Sequence, residues 1–142
     1  NVIDIFNSKI KLFKAQIKEK ELRIILDEKL TSPILETNVY FLKIILENLM
    51  SNAIKYSEIK HPIKITLEEQ SNFIKISISN KGGNLKEEDV NSIFEIFHRP
   101  KDTTEKGHGI GLALAKKAAN LLGYQIKVEL NNQTTFVLYI PN

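Results

Sequence analysis

The chain has no cysteine, no tryptophan, a single methionine, two arginines (Arg23 and Arg99) and only six glycines in 142 residues. Without cysteine, neither a disulfide framework nor a thiolate metal site is possible, which fits a reducing compartment. The basic residues are scattered among 17 acids, the net charge is +3, and there is no basic block. The clustered footprint of a nucleic-acid binder is therefore missing, and nucleic acid is not expected as a partner. No apolar run approaches the ~18 residues of a membrane span, and no signal-peptide pattern opens the chain. Membrane contact by these residues is not expected. The start at Asn1, without Met, suggests a piece or processed form of something longer.

What is present is enough for one domain, residues 1–142, of the size that buries roughly 68–70% of its unfolded surface. Ile3, Phe6, Ile10, Phe13 and Ile17 step by three and four, which predicts a helix over 2–19; packing on the domain's own sheet is the favoured use of that stripe, and packing against a helical part outside these residues is the alternative. LRIILDE, 22–28, reads as a strand, and Thr31-Ser32-Pro33 as a turn. Thr37 or Asn38 caps a long helix running to about Ser57. Strands follow at 63–69 and 73–79 around the turn Gln70-Ser71-Asn72, the second with Ile74, Ile76 and Ile78 on one face. Val90, Ile93, Phe94 and Phe97 predict a helix over 86–97; 98–108 has no period and reads as a loop. A helix over 110–122 ends at Gly123, and strands 125–130 and 134–140 flank a turn at Asn131-Asn132. Helices punctuate locally paired strands, so the class is α+β: one mixed sheet with helices on one face.

The most informative segment is Leu46 to Ser57 (LENLMSNAIKYS). At about 100° per residue, Asn48, Asn52 and Lys55 share one helix face beside an apolar stripe of Leu42, Ile45, Leu46, Leu49 and Ala53. Amide oxygens suit a hard cation such as Mg²⁺, and a Lys one turn on suits phosphate oxygens. A solvated polar face that happens to carry two Asn explains this helix about equally well. Two glycine segments follow, Asn80-Lys81-Gly82-Gly83-Asn84-Leu85 after a strand and Gly107-His108-Gly109-Ile110-Gly111-Leu112 opening a helix. The second is a plausible anion cradle, since helix N-terminal amides favour phosphate; a tight turn capping a helix is the plain alternative. An irregular loop precedes it, which argues against a Rossmann fingerprint.

Four segments in this order, LENLMSNAIKYS, SNKGGNL, IFEIFHR and GHGIGLALAKK, resemble the N box, first glycine box, F box and second glycine box of the catalytic ATP-binding domain of sensor histidine kinases. That domain belongs to the gyrase, heat-shock chaperone, histidine kinase and mismatch-repair ATPase superfamily. The likeness runs over nearly the whole chain. It implies a two-layer α/β sandwich, a mixed and mostly antiparallel sheet of about five strands covered by three helices, with a flexible lid over ATP. It also implies site roles. Asn52 would ligate Mg²⁺, with Asn48 beside it near the phosphates and Lys55 on a phosphate. Tyr56 would line the nucleotide, and Asn80 would accept the adenine amino group where the family usually has Asp. Gly82, Asn84 and Leu85 would shape the adenine pocket. Phe94 and Phe97 would anchor the lid, from which Arg99 would reach the phosphates. Gly107, His108, Gly109, Ile110 and Gly111 would cradle the phosphates, Leu112 would face the site, and Thr134 would sit near adenine.

Three positions depart from the pattern. Asn80 replaces Asp, yet its amide can accept from the adenine amino group and donate to a ring nitrogen. Asn84 replaces a glycine, and Asn is the best non-Gly residue for a left-handed turn. Gln133 replaces another glycine in a strand turn.

The resemblance also separates kinase from hydrolase. The superfamily's ATPases place a Glu, as base for water, where this chain has Asn48; Glu47 points about 100° away. An amide cannot take a proton, so transfer to another acceptor is favoured over hydrolysis. Asn48, Lys55 and Arg99 would carry that transfer by positioning and charge. His61, His98 and His108 all lack the helix setting and adjacent acid of a phosphoacceptor. The resemblance thus implies an acceptor histidine on an upstream dimerisation domain, with a response regulator as indirect partner. It implies a cytoplasmic location, an isolated chain that is monomeric, and a homodimeric parent. An anti-sigma-factor-type serine kinase and a non-catalytic interaction module are the alternatives.

Overall fold

The computed structural model describes residues 1–82, 85–90, 92–95 and 110–142. The N-terminal helical stretch is two helices rather than one: α1 (Val2–Leu12) and α2 (Lys14–Glu19). The expected continuous helix over 2–19 is corrected at Phe13, where the backbone (φ −95°, ψ 15°) leaves the helical region. The periodicity survives the break, because Ile3, Ile10, Phe13 and Ile17 still pack on the domain's own core, with Phe6 fully buried.

Strand β1 (Arg23–Lys29) begins one residue later than the sequence suggests. The long helix α3 (Val39–Tyr56) is capped by Asn38, whose side chain accepts from Phe41 N at 3.1 Å. Its apolar stripe buries Leu42, Ile45, Leu46, Leu49, Met50, Ala53 and Ile54. Strands β2 (Pro62–Glu69) and β3 (Phe73–Asn80) pair antiparallel. Of the helix expected over 86–97, the described residues form no α-helix: they hold a 3-10 turn, Glu87–Asp89, then turns up to Phe94 and a bend at Glu95. Ile93 is nevertheless buried, and Phe94 meets Phe136 edge-on at 6.1 Å. The apolar spacing reports contact with the core, which turns supply as well as a helix does. Helix α4 (Ile110–Leu122) ends at Gly123, which takes φ 76° as a left-handed C-cap. Strands β4 (Gln125–Leu130) and β5 (Thr134–Pro141) close the chain.

The five strands form one sheet in the order β1-β2-β3-β5-β4. Only β1 and β2 run parallel, because α3 is the crossover between them. The other pairings are antiparallel. Ile63, Ile65, Leu67, Ile76, Ile78, Phe136 and Leu138 alternate onto the helix side and join the single core. Lys64, Lys75, Lys127 and Glu129 share the opposite face, as the register requires. This is the two-layer α+β arrangement of a mixed, mostly antiparallel sheet. Helices α3 and α4 pack against each other, α3 also against β3 and α4 against β4.

Candidate functional site

Everything in the site hangs on α3. Its apolar stripe fixes its rotation, and that rotation leaves Asn48, Asn52, Lys55 and Tyr56 half-buried. The Asn48 amide donates to Ile44 O at 2.7 Å, which fixes the rotamer and turns its oxygen outward. That oxygen lies against the start of α4: a Cβ added to Gly111 would stand 2.8 Å from Asn48 Oδ1. Glycine at 111 is therefore what lets α4 begin beside the Asn-bearing face.

The C-terminal end of α3 meets the other glycine segment. Gly82 has φ +116°, and a Cβ there would lie 2.5 Å from the Tyr56 carbonyl oxygen. Ser57 and Gly82 form an antiparallel bridge, and Glu58 N donates to Lys81 O at 2.7 Å. Thr134 Oγ1 in turn donates to Gly82 O at 3.0 Å, tying the segment to β5. Gly82, Leu85, Leu130, Asn132, Gln133 and Thr134 line an open pocket of about 240 Å³ beside this junction. Asn80 stands opposite Thr134 in the sheet, is 1% exposed, and its Nδ2 has no hydrogen-bond partner among the described residues.

Of the residues singled out from the sequence, the fold thus gathers Asn48 with Gly111, Tyr56 with Gly82, and Asn80 with Thr134, around one end of the sheet. Lys55 Nζ lies 5.6 Å from the Tyr56 ring centroid, in cation–π range. Leu85 lines the pocket, and Leu112 is packed into the core cluster at 8% exposure. Asn84, Phe97, Arg99, Gly107, His108 and Gly109 lie outside the described residues, as does most of the expected lid. Ile110 opens α4.

Two features were not legible in the sequence. Leu130 and Asn132 line the pocket; their only signal was the turn at Asn131-Asn132, where Asn132 takes φ 59°. Lys20, just past α2, donates from Nζ to the carbonyls of Ile54 (3.0 Å), Lys55 and Ser57 (3.1 Å). It closes the open C-terminal carbonyls of α3 with a cation where the helix dipole is negative. Nothing in the spacing of a surface lysine announces this.

Among the described residues, the donor set would suit a Mg²⁺ whose coordination is completed by phosphate oxygens and water. Among the described residues no group of three His, Cys, Asp or Glu could hold a metal ion. Asn52 offers one amide oxygen, and Mg²⁺ prefers one or two protein ligands completed by phosphate oxygens and water. Glu47, the nearest carboxylate in sequence, is turned to α1, where it pairs with Lys9 at 3.6 Å.

Residues 37–142 match the family described as histidine kinase-, DNA gyrase B-, and HSP90-like ATPase. The chain belongs to that family. The signal transduction histidine-protein kinase ArlS of Staphylococcus epidermidis is 36% identical over 78% of this chain and 26% of its own length. The probable sensor kinase SilS of Salmonella typhimurium is 31% identical over 68% of this chain and 20% of its own. The chain therefore spans about a fifth to a quarter of the curated relatives it matches. A nucleotide-free catalytic domain of the histidine kinase ThkA superposes with a TM-score of 0.85 at 27% identity, covering 99% of this chain and 94% of that one. ThkA has also been solved in complex with the response regulator TrrA. The chain is thus an ATP-binding catalytic domain of the sensor-histidine-kinase type. Lys20 lies upstream of the family-matched stretch yet braces the helix that carries its N box.

Among the described residues, no helix is long and apolar enough to cross a membrane.

Proposed function

We propose that residues 1–142 act as one domain that binds ATP with Mg²⁺ between α3, the Gly82 segment and the start of α4. The γ-phosphoryl group then passes to a histidine on a dimerisation domain of the parent kinase. The observation that carries this reading is the double contact of α3 with glycine: Asn48 Oδ1 against Gly111 and the Tyr56 carbonyl against Gly82. A gap walled by backbone at both ends of a polar helix face is the shape a triphosphate and a purine need.

Asn52 would hold Mg²⁺, which would supply charge neutralisation on the phosphates. Asn48 and Lys55 would contact phosphate oxygens, joined by Arg99 and by the amides of Gly107, His108, Gly109, Ile110 and Gly111 at the α4 N-terminus. Tyr56, Leu112, Phe97 and Asn84 would line the nucleotide. Asn80, Gly82, Leu85 and Thr134 would hold the base. Phosphoryl transfer asks for positioning and charge more than for proton chemistry. Asn48 cannot accept a proton, and Glu47 is engaged by Lys9. Water is thus not activated here, which favours an external imidazole. In the cell this domain would face the cytoplasm, in a homodimeric parent that can be membrane-anchored elsewhere and that hands its phosphoryl group to a response regulator.

Titration with Mg²⁺ and a non-hydrolysable ATP analogue tests the reading. We expect saturable, Mg²⁺-dependent binding below millimolar analogue. Asn52→Ala should lose the Mg²⁺ dependence and the transfer activity while the apo domain melts within about 1 °C of the native chain, a surface-type change. Absence of binding at millimolar analogue, or an Asn52→Ala variant with normal Mg²⁺ dependence, would overturn it. Acid-labile label on the acceptor would mark histidine; acid-stable label would mark the serine-kinase alternative.

A further inference from the structure

Next to the residues that line the pocket lies a buried amide with an unused donor. Asn80 is 1% exposed, and its Nδ2 has no partner among the described residues. Buried polar groups are hydrogen-bonded in the great majority of cases, so an orphan beside a pocket marks a ligand contact. Asn80 sits two residues before Gly82 and directly across from Thr134, both of which line the pocket. The Thr134 hydroxyl proton is committed to the Gly82 carbonyl, so Thr134 can only accept from an incoming base.

We infer that Asn80 makes this site tolerant at the purine 6-position, so that 6-oxopurine nucleotides bind alongside adenine nucleotides. The inference rests on the nucleotide-binding reading above. A primary amide carries one acceptor oxygen and one NH₂ donor at nearly the same distance from its carbon. Facing adenine, the oxygen accepts from the 6-amino group and the nitrogen donates to the ring nitrogen N1. Facing hypoxanthine, the order reverses: the 6-oxygen is an acceptor and N1 carries a hydrogen. A half-turn of the amide about its last bond exchanges oxygen and nitrogen and restores both bonds. A carboxylate at this position could not do so, because it has acceptors only and would set an anion against the 6-oxygen. Asn80 thus supplies no repulsive element, and discrimination between related ligands needs one or needs a buried group left unpaired.

The test compares ATP with inosine triphosphate, which differs at the 6-position and N1 alone, in Mg²⁺-dependent titrations of the native chain and of Asn80→Asp. The native chain should bind the two within about tenfold, and Asn80→Asp should widen the ratio beyond about a hundredfold in favour of ATP. ATP binding with inosine triphosphate more than about a hundredfold weaker in the native chain would overturn the inference and leave the ATP-binding reading standing. An unchanged ratio in a folded Asn80→Asp variant would also overturn it. If neither nucleotide binds, both the inference and the reading beneath it fall. Should Asn80→Asp not fold, the native ratio alone decides.

Discussion

Lys20→Met removes a cation from the C-terminus of α3 while keeping most of the side chain's apolar stem. The native ammonium serves the carbonyls of Ile54, Lys55 and Ser57. A hydrogen bond to a charged group contributes about 1.5–3 kcal/mol, and a cation at a helix C-terminus adds about 0.3–1 kcal/mol. The three bonds do not sum, because they share one charge, the site is only part-buried, and water can replace the ammonium at the carbonyls once it is gone. A net loss of about 2 kcal/mol follows, taking the low end of the charged-bond range with a small dipole term. For a domain of this size about 4 °C per kcal/mol applies, so Tm should fall by roughly 8 °C. Thermal unfolding followed by circular dichroism measures it. Titration with the ATP analogue, well below the variant's Tm, measures a second effect: the last turn of α3 carries Lys55 and Tyr56, so affinity should drop several-fold. Lys20→Arg should recover part of both, since charge is kept but the planar fork fits three converging carbonyls less well. A variant melting within about 1 °C of the native chain, with native affinity, would refute the brace, because a cation without consequence is a surface residue.

Gly82→Ala would force a side chain into φ +116° and onto the Tyr56 carbonyl; we expect a loss of at least about 2 kcal/mol in chemical denaturation, from strain of about 1–3 kcal/mol plus the clash. Gly111→Ala is the contrasting case. Among the described residues its Cβ meets only the Asn48 side chain, and Ala gains about 1 kcal/mol of helix propensity over Gly. Stability should stay within about 1 kcal/mol while analogue binding falls at least tenfold, and native binding would remove Asn48 from the site. Glu69 accepts from Thr31 N at 2.8 Å, which holds its carboxyl below the ordinary value of 4.5. A depressed folded value means that its contribution is present above pH 4.5 and is lost as pH falls through the folded value. The stability gap between the native chain and Glu69→Gln should therefore close on acidification below that point, as urea titrations at stepped pH would show.

Periodicity and caps along the chain determined a good deal by themselves. The alternation of Ile74, Ile76 and Ile78 placed β3 and chose its buried face, because a strand exposes side chains with period two. The apolar stripe fixed α3 and the face on which Asn48, Asn52 and Lys55 stand, with the structure choosing Asn38 over Thr37 as its cap, and Gly123 fixed where α4 stops. The order of the four motifs identified the family. Tertiary structure decided what local pattern cannot carry. Val90, Ile93 and Phe94 repeat like a helix yet sit on turns, because core contact constrains which residues are apolar and not how the backbone delivers them. The register of β3 with β5 set Asn80 across from Thr134 and left its donor unspent. Lys20 and the carbonyls it braces are more than thirty residues apart in sequence. Such a contact is a property of how two elements lie in space, and spacing along one chain segment holds no record of it.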